Sequence, residues 1–153
     1  MKNRGRTYFI LGAFILLSFI IKLIMIFKYG NQLTLASDDL NYLKSAVYLT
    51  KKNILVFHNY NEPTVFIMPL YPLFLSIIIR IFGYGLAGIQ AIRVTQAVIS
   101  CVTIIMVFLI AQRLFGKKVA LFAAFLVSFY VPNIVTTGYL LTETLFTALL
   151  YTL

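Results

Sequence analysis

The sequence predicts an all-α integral membrane protein with three complete transmembrane helices, a truncated fourth, and an external first loop carrying short interfacial helices. Three observations predict it. Of 153 residues, 61% are hydrophobic and the mean hydropathy is +0.96, where a soluble domain is about 45–50% apolar. Apolar stretches at 8–27, 91–112 and 119–139 each reach the roughly 20 residues that a helix needs to cross a hydrocarbon core. Basic residues gather beside some of these stretches and not others, which gives the spans a direction.

The first span, 8–27, follows Lys2, Arg4 and Arg6. It superficially resembles a signal peptide. A signal's apolar region is only about 7–15 residues, and no small-residue cleavage pattern follows this one. It is an uncleaved helix. Arg113, Lys117 and Lys118 fill the tight turn between 91–112 and 119–139. Excess Lys and Arg marks cytoplasmic loops, so both basic groups belong inside. The N-terminus is then cytoplasmic and residues 28–90 form an external loop. Lys51 and Lys52 oppose this orientation but lie far from a span.

Within the loop, 39–50 reads as an amphipathic helix. Leu40, Leu43, Ala46 and Val47 line one face, with Asn41, Lys44 and Ser45 elsewhere. Ser37 is the expected N-cap, which puts Asp38 and Asp39 in the first turn. Residues 69–82 are strongly apolar, with Pro72 near the start and Arg80 near the end. At about 14 residues they suit an interfacial or re-entrant helix better than a span. Gly83, Gly85 and Gly88 mark the turn into the second span. Their Gly-x-Gly-x-x-Gly spacing lacks the preceding strand of a dinucleotide site. Pro132 interrupts the third span. The apolar run from Thr144 stops at Leu153, about ten residues on and too short to cross. The expectation is that residues 1–153 are the N-terminal part of a longer membrane domain.

The net charge of +9 fits cytoplasmic loops and headgroup contacts. With no soluble basic domain to carry it, nucleic-acid binding is excluded. Cys101 is the single cysteine, so no intramolecular disulfide forms. His58 has no His or Cys at ligand spacing and reads as a loop histidine. The only four acids, Asp38, Asp39, Glu62 and Glu143, all fall on the external side of this topology. Asp38 and Asp39 suit a helix N-terminus or a reaction that needs a carboxylate. Glu62 sits in a polar loop before Pro63. Glu143 opens the last apolar run, where an ionisable group at membrane depth faces a cavity or a partner. Arg93 opens the second span, placed to snorkel to lipid phosphates, pair with an acid, or hold a ligand phosphate.

Four blocks in register, opened by Asp38-Asp39, Pro69-Leu70-Tyr71-Pro72, Ala91-Ile92-Arg93 and Tyr130-Val131-Pro132, resemble the bacterial members of the dolichyl-phosphate-mannose protein mannosyltransferase superfamily, GT-C class glycosyltransferases that use polyprenyl-phosphate sugars. One is Asp38-Asp39-Leu40-Asn41-Tyr42 with Ala46, similar to the family's acid-acid-x-x-Tyr-x-x-x-Ala signature. The second is Pro69-Leu70-Tyr71-Pro72-Leu73 running into Phe82-Gly83. The others are Ala91-Ile92-Arg93 with Ala111-Gln112-Arg113-Leu114-Phe115-Gly116, and Tyr130-Val131-Pro132 with Leu141-Thr142-Glu143-Thr144. Two positions depart from the pattern: Asn53 stands where glycine is common, and Met68 replaces one proline of a pair.

The resemblance implies inverting transfer of a hexose or pentose from a polyprenyl-phosphate donor to an acceptor at the external face of the cell membrane. The acceptor is a lipid, a glycan or a protein. It implies that Asp38 or Asp39 is the catalytic base, with Asp38 favoured. Glu143 would lie near donor phosphate or acceptor, and Arg93 would neutralise the leaving phosphate. Tyr42 and Glu62 complete the candidate substrate-binding set. Metal dependence stays open, with a divalent cation possible. Rival readings are a transporter subunit or a non-catalytic assembly protein. Lys22, the only charge well inside a span and near its outer end, disfavours transport.

Overall fold

Glycines and one proline decide where the helices begin and end. The computed structural model describes residues 2–58 and 62–152, so the polar loop expected at 59–61 lies outside the described residues. Within them the regular structure is helical. It runs α1 (Lys2–Tyr29), a 3₁₀ turn (Gly30–Gln32), α2 (Asp38–Lys52), α3 (Leu70–Phe82), α4 (Leu86–Phe115), α5 (Lys117–Phe129), α6 (Val131–Val135) and α7 (Glu143–Thr152). Gly116 alone separates α4 from α5, at φ +84. That left-handed conformation costs a glycine little, and it folds α5 back along α4. Asn53 closes α2 at φ +56, where asparagine is tolerated almost as glycine is, and this accounts for its place where glycine is common. Gly88 lies so close to Gly83 that an added Cβ would strike the Gly83 carbonyl oxygen. The end of α3 is thereby held against the start of α4.

Two helices are long and apolar enough to cross a membrane, Gly5–Tyr29 and Leu86–Phe115. The expected third span, 119–139, is not one helix. Its α5 part has 13 residues, about 20 Å. Pro132 has no N–H to donate and its ring would clash one turn back, so the helix cannot run through it. Tyr130 is extended and α6 restarts with the proline in its first turn. The carbonyls freed by the break must be satisfied in an apolar surrounding. Asn133 Nδ2 donates to Val127 O at 3.1 Å, and Ser18 Oγ to Ser128 O at 2.8 Å. Nearby Lys22, 0% exposed, donates to Ser100 Oγ at 2.7 Å, which donates to Asn133 Oδ1 at 2.9 Å. This chain locks α1, α4 and α6 together. Lys22 therefore lies buried within the helix packing.

The bundle has two unlike ends. At one, the start of α1, the end of α4 and the start of α5 pack through Leu11, Ile104, Phe108, Ala111, Ala120 and Ala124. Arg6, Arg113, Lys117 and Lys118 belong to this end. At the other, α2 and α3 pack on the head of α4 through Leu43, Ala46, Tyr71, Leu75, Ile78 and Ile92. The amphipathic face expected of α2 is largely observed, with Val47 against this cluster. Leu40, expected on that face, is exposed.

Candidate functional site

The site forms where the N-terminus of α2, the segment before α3 and the start of α7 meet. Asp38 and Asp39 sit in the first turn of α2, about 100° apart around the helix. That angle sends them into different surroundings. Asp39 is 4% exposed. Its Oδ2 accepts from Thr34 Oγ1 at 2.6 Å and Leu35 N at 2.9 Å, and its Oδ1 from Ser37 N at 3.0 Å. The loop before α2 is thus folded around this carboxylate. Ser37 holds the N-cap position but its side chain makes no cap hydrogen bond, because the Asp39 carboxylate takes the nearby N–H groups. Burial pushes the Asp39 carboxyl up. The hydrogen bonds from Thr34, Ser37, Leu35 and Leu40 together outweigh it, and the group titrates below the ordinary carboxylate value.

Asp38 is exposed and has no hydrogen-bond partner among the described residues. It opens onto a cavity of about 560 Å³. Tyr42, one turn on along α2, lines the same cavity with Tyr71 of α3. Their rings meet edge to face at 5.1 Å. Tyr71 is buried and its hydroxyl donates to Gln96 Oε1 at 3.1 Å; Gln96 Nε2 donates in turn to Tyr139 O at 2.9 Å. Burial and then the charges of Asp38 and Glu143 raise the Tyr42 phenol. Burial and then Glu143 raise Tyr71 well above its ordinary value. Both phenols remain hydrogen-bond donors at neutral pH. Thr142, Leu145, Phe146 and Leu149 supply the α7 side. Glu143 is exposed at the N-terminus of that helix, and its charge reaches both tyrosines.

Arg93 belongs to a second, smaller cavity of about 200 Å³, with Asp39, Gly30, Leu33 and Thr34. It is 6% exposed. Its Nε donates to Gly138 O at 2.8 Å and Nη2 to Leu33 O at 3.0 Å. These bonds tie the end of α1 to the segment before α7. Glu62 is exposed and lines neither cavity. The structure brings Asp38 and Tyr42 together with Glu143 nearby, and turns Asp39 and Arg93 away. Among the described residues no three metal-ligating side chains gather.

His58, expected as a loop histidine, lies exposed in the loop between α2 and α3; its place at the larger cavity was not legible in the sequence. Its ring lines the larger cavity, and its Nδ1 is 3.3 Å from Asn41 Nδ2. The one signal available was the spacing on α2, where Asn41 stands three residues from Asp38 and shares its face.

The chain matches the family model described as dolichyl-phosphate-mannose-protein mannosyltransferase over residues 61–153. The chain belongs to the dolichyl-phosphate-mannose-protein mannosyltransferase family. No curated protein and no solved structure matches it. Membership, together with the two long apolar helices, makes this a membrane protein of a glycosyltransferase family. The mannosyltransferase match covers α3 to α7, with Tyr71, Arg93 and Glu143. Asp38, Asp39, Tyr42 and His58 lie ahead of it, so their assignment rests on geometry.

Proposed function

We propose that the protein transfers a sugar from a polyprenyl-phosphate donor to an acceptor hydroxyl at the external membrane face, with Asp38 as general base. The observation that carries this is the exposure of the Asp38 carboxylate, without a partner among the described residues, to the cavity that Tyr42, Tyr71 and the start of α7 enclose. A general base must reach the proton it removes, and Asp39, already holding three donors, is committed elsewhere. Tyr42 and Glu143 orient the acceptor beside Asp38. Arg93 is a positioning residue that fixes the loop behind Asp39. The protein crosses the membrane more than once, its N-terminus cytoplasmic. Supporting this, Arg6, Arg113, Lys117 and Lys118 gather at one end of the bundle and Asp38, Asp39 and Glu143 at the other.

The test is transfer from a polyprenyl-phosphate sugar by the membrane-embedded protein and its Asp38→Asn, Asp39→Asn and Glu143→Gln variants. Asp38→Asn should abolish transfer while the protein stays folded. Wild-type transfer by Asp38→Asn would sink the base assignment.

A further inference from the structure

We infer that His58 binds the donor phosphate and stabilises it as the leaving group. This rests on the polyprenyl-phosphate donor of the proposed function. A phosphate entering the larger cavity needs a cation or directed N–H donors. Among the described residues His58 is the only basic side chain in its lining. Arg93 opens on the smaller cavity and spends its Nε and one Nη on buried carbonyls. His58 is exposed, on a backbone at φ +60, a region histidine enters more often than most residues. Its ring packs against Phe57 at 4.4 Å and Phe66 at 5.8 Å. The Asn41 amide nitrogen lies 3.3 Å from Nδ1; in the tautomer in which Nδ1 accepts from it, Nε2 carries the ring proton. Asn41 and Asp38 share a face of α2, so one helix sets both the base and the phosphate donor.

In the transfer step the bond between the sugar's C1 and the phosphate oxygen breaks as C1 bonds to the acceptor oxygen. The acceptor's proton passes to the Asp38 carboxylate. The electron pair of the broken bond stays on the phosphate, which leaves as polyprenyl phosphate with one more negative charge. Nε2–H of His58 donates to that oxygen, a hydrogen bond that strengthens as the charge develops.

Binding of undecaprenyl phosphate and of undecaprenol, measured without turnover on the protein in nanodiscs, tests this. Wild type should prefer the phosphate. His58→Ala should weaken phosphate binding roughly tenfold, the worth of one charge-assisted hydrogen bond, and leave the alcohol unchanged. His58→Lys should restore phosphate binding. Undiminished phosphate binding by folded His58→Ala overturns the inference alone. If His58→Ala does not fold, His58→Lys decides: wild-type phosphate affinity supports the inference, and loss of the preference overturns it. A wild type that binds phosphate and alcohol equally overturns the donor reading of the proposed function as well.

Discussion

Asp38 and Asp39 are neighbours in sequence, and each opens onto one of two cavities that differ in how far their polar groups are already engaged. In the smaller cavity Asp39 and Arg93 hold five hydrogen bonds between them, to the loop before α2, to Leu33 and to Gly138. Those bonds join the segment after α1 to α4 and to the segment before α7. In the larger cavity Asp38 has no partner among the described residues, and the aromatic walls are packed around it. One cavity builds the frame; the other presents groups to a ligand. The difference teaches that a carboxylate pair need not share a role, because a rotation of about 100° per residue places neighbours on different faces.

Substitutions at the two cavities should therefore separate activity from stability. The largest effect is expected from Asp38→Asn. Loss of a general base costs about 10²–10⁴-fold in rate, and transfer assays should show that fall with an unchanged melting temperature. A large loss of stability would erase the distinction between the cavities. Next comes Arg93→Met, which strands the buried Gly138 carbonyl and the partly buried Leu33 carbonyl. Each orphaned acceptor costs about 1–3 kcal/mol, so thermal unfolding in detergent should shift down by several degrees.

Asp39→Asn should cost about 1.5–3 kcal/mol, the range for hydrogen bonds to a charged group, and should alter the acid response. The depressed Asp39 carboxyl contributes stability above its unfolded value of about 3.9. That contribution disappears as pH falls through the folded value, which is lower. Unfolding followed below about pH 4 should show a steeper decline in wild type than in Asp39→Asn. Equal acid responses would contradict the burial and hydrogen bonding of that group. The smallest effect belongs to Tyr71→Phe, which removes the donor to Gln96. About 1 kcal/mol is expected, with transfer retained, and chemical denaturation alongside the transfer assay would check both.

Much of the frame was legible in the residues. The apolar runs at 8–27 and 91–112 correspond to α1 and α4, since a hydrocarbon-length apolar stretch has few other ways to satisfy its backbone. The amphipathic period of 39–50 and the short apolar run at 69–82 appear as α2 and α3. Less legible was the third apolar run, which is apolar enough by composition yet broken at Tyr130. There a single proline overrides hydropathy, and the carbonyls it frees recruit Ser18 from α1 and Asn133 from just past the break. Asp38 and Glu143 were legible as candidates because acids are rare in this chain, and Tyr42 through its place in the block that runs from Asp38 to Ala46. Arg93 was equally conspicuous, but composition carries no information on which carbonyls a guanidinium will meet.

The sequence by itself determined the helical class, the two long apolar helices, and the clusters of basic residues at 2–6 and 113–118. Hydropathy and charge are local properties, readable one segment at a time. Only the tertiary structure decided which aspartate faces the larger cavity, that Arg93 is turned to Gly138 and Leu33, and that His58 joins Asn41 across 17 positions. Those outcomes depend on the angle of α2 against α3 and α4, which is set by the packing of Leu43, Ala46, Tyr71 and Ile92. Packing angles arise from pairs of surfaces, and no single segment encodes them.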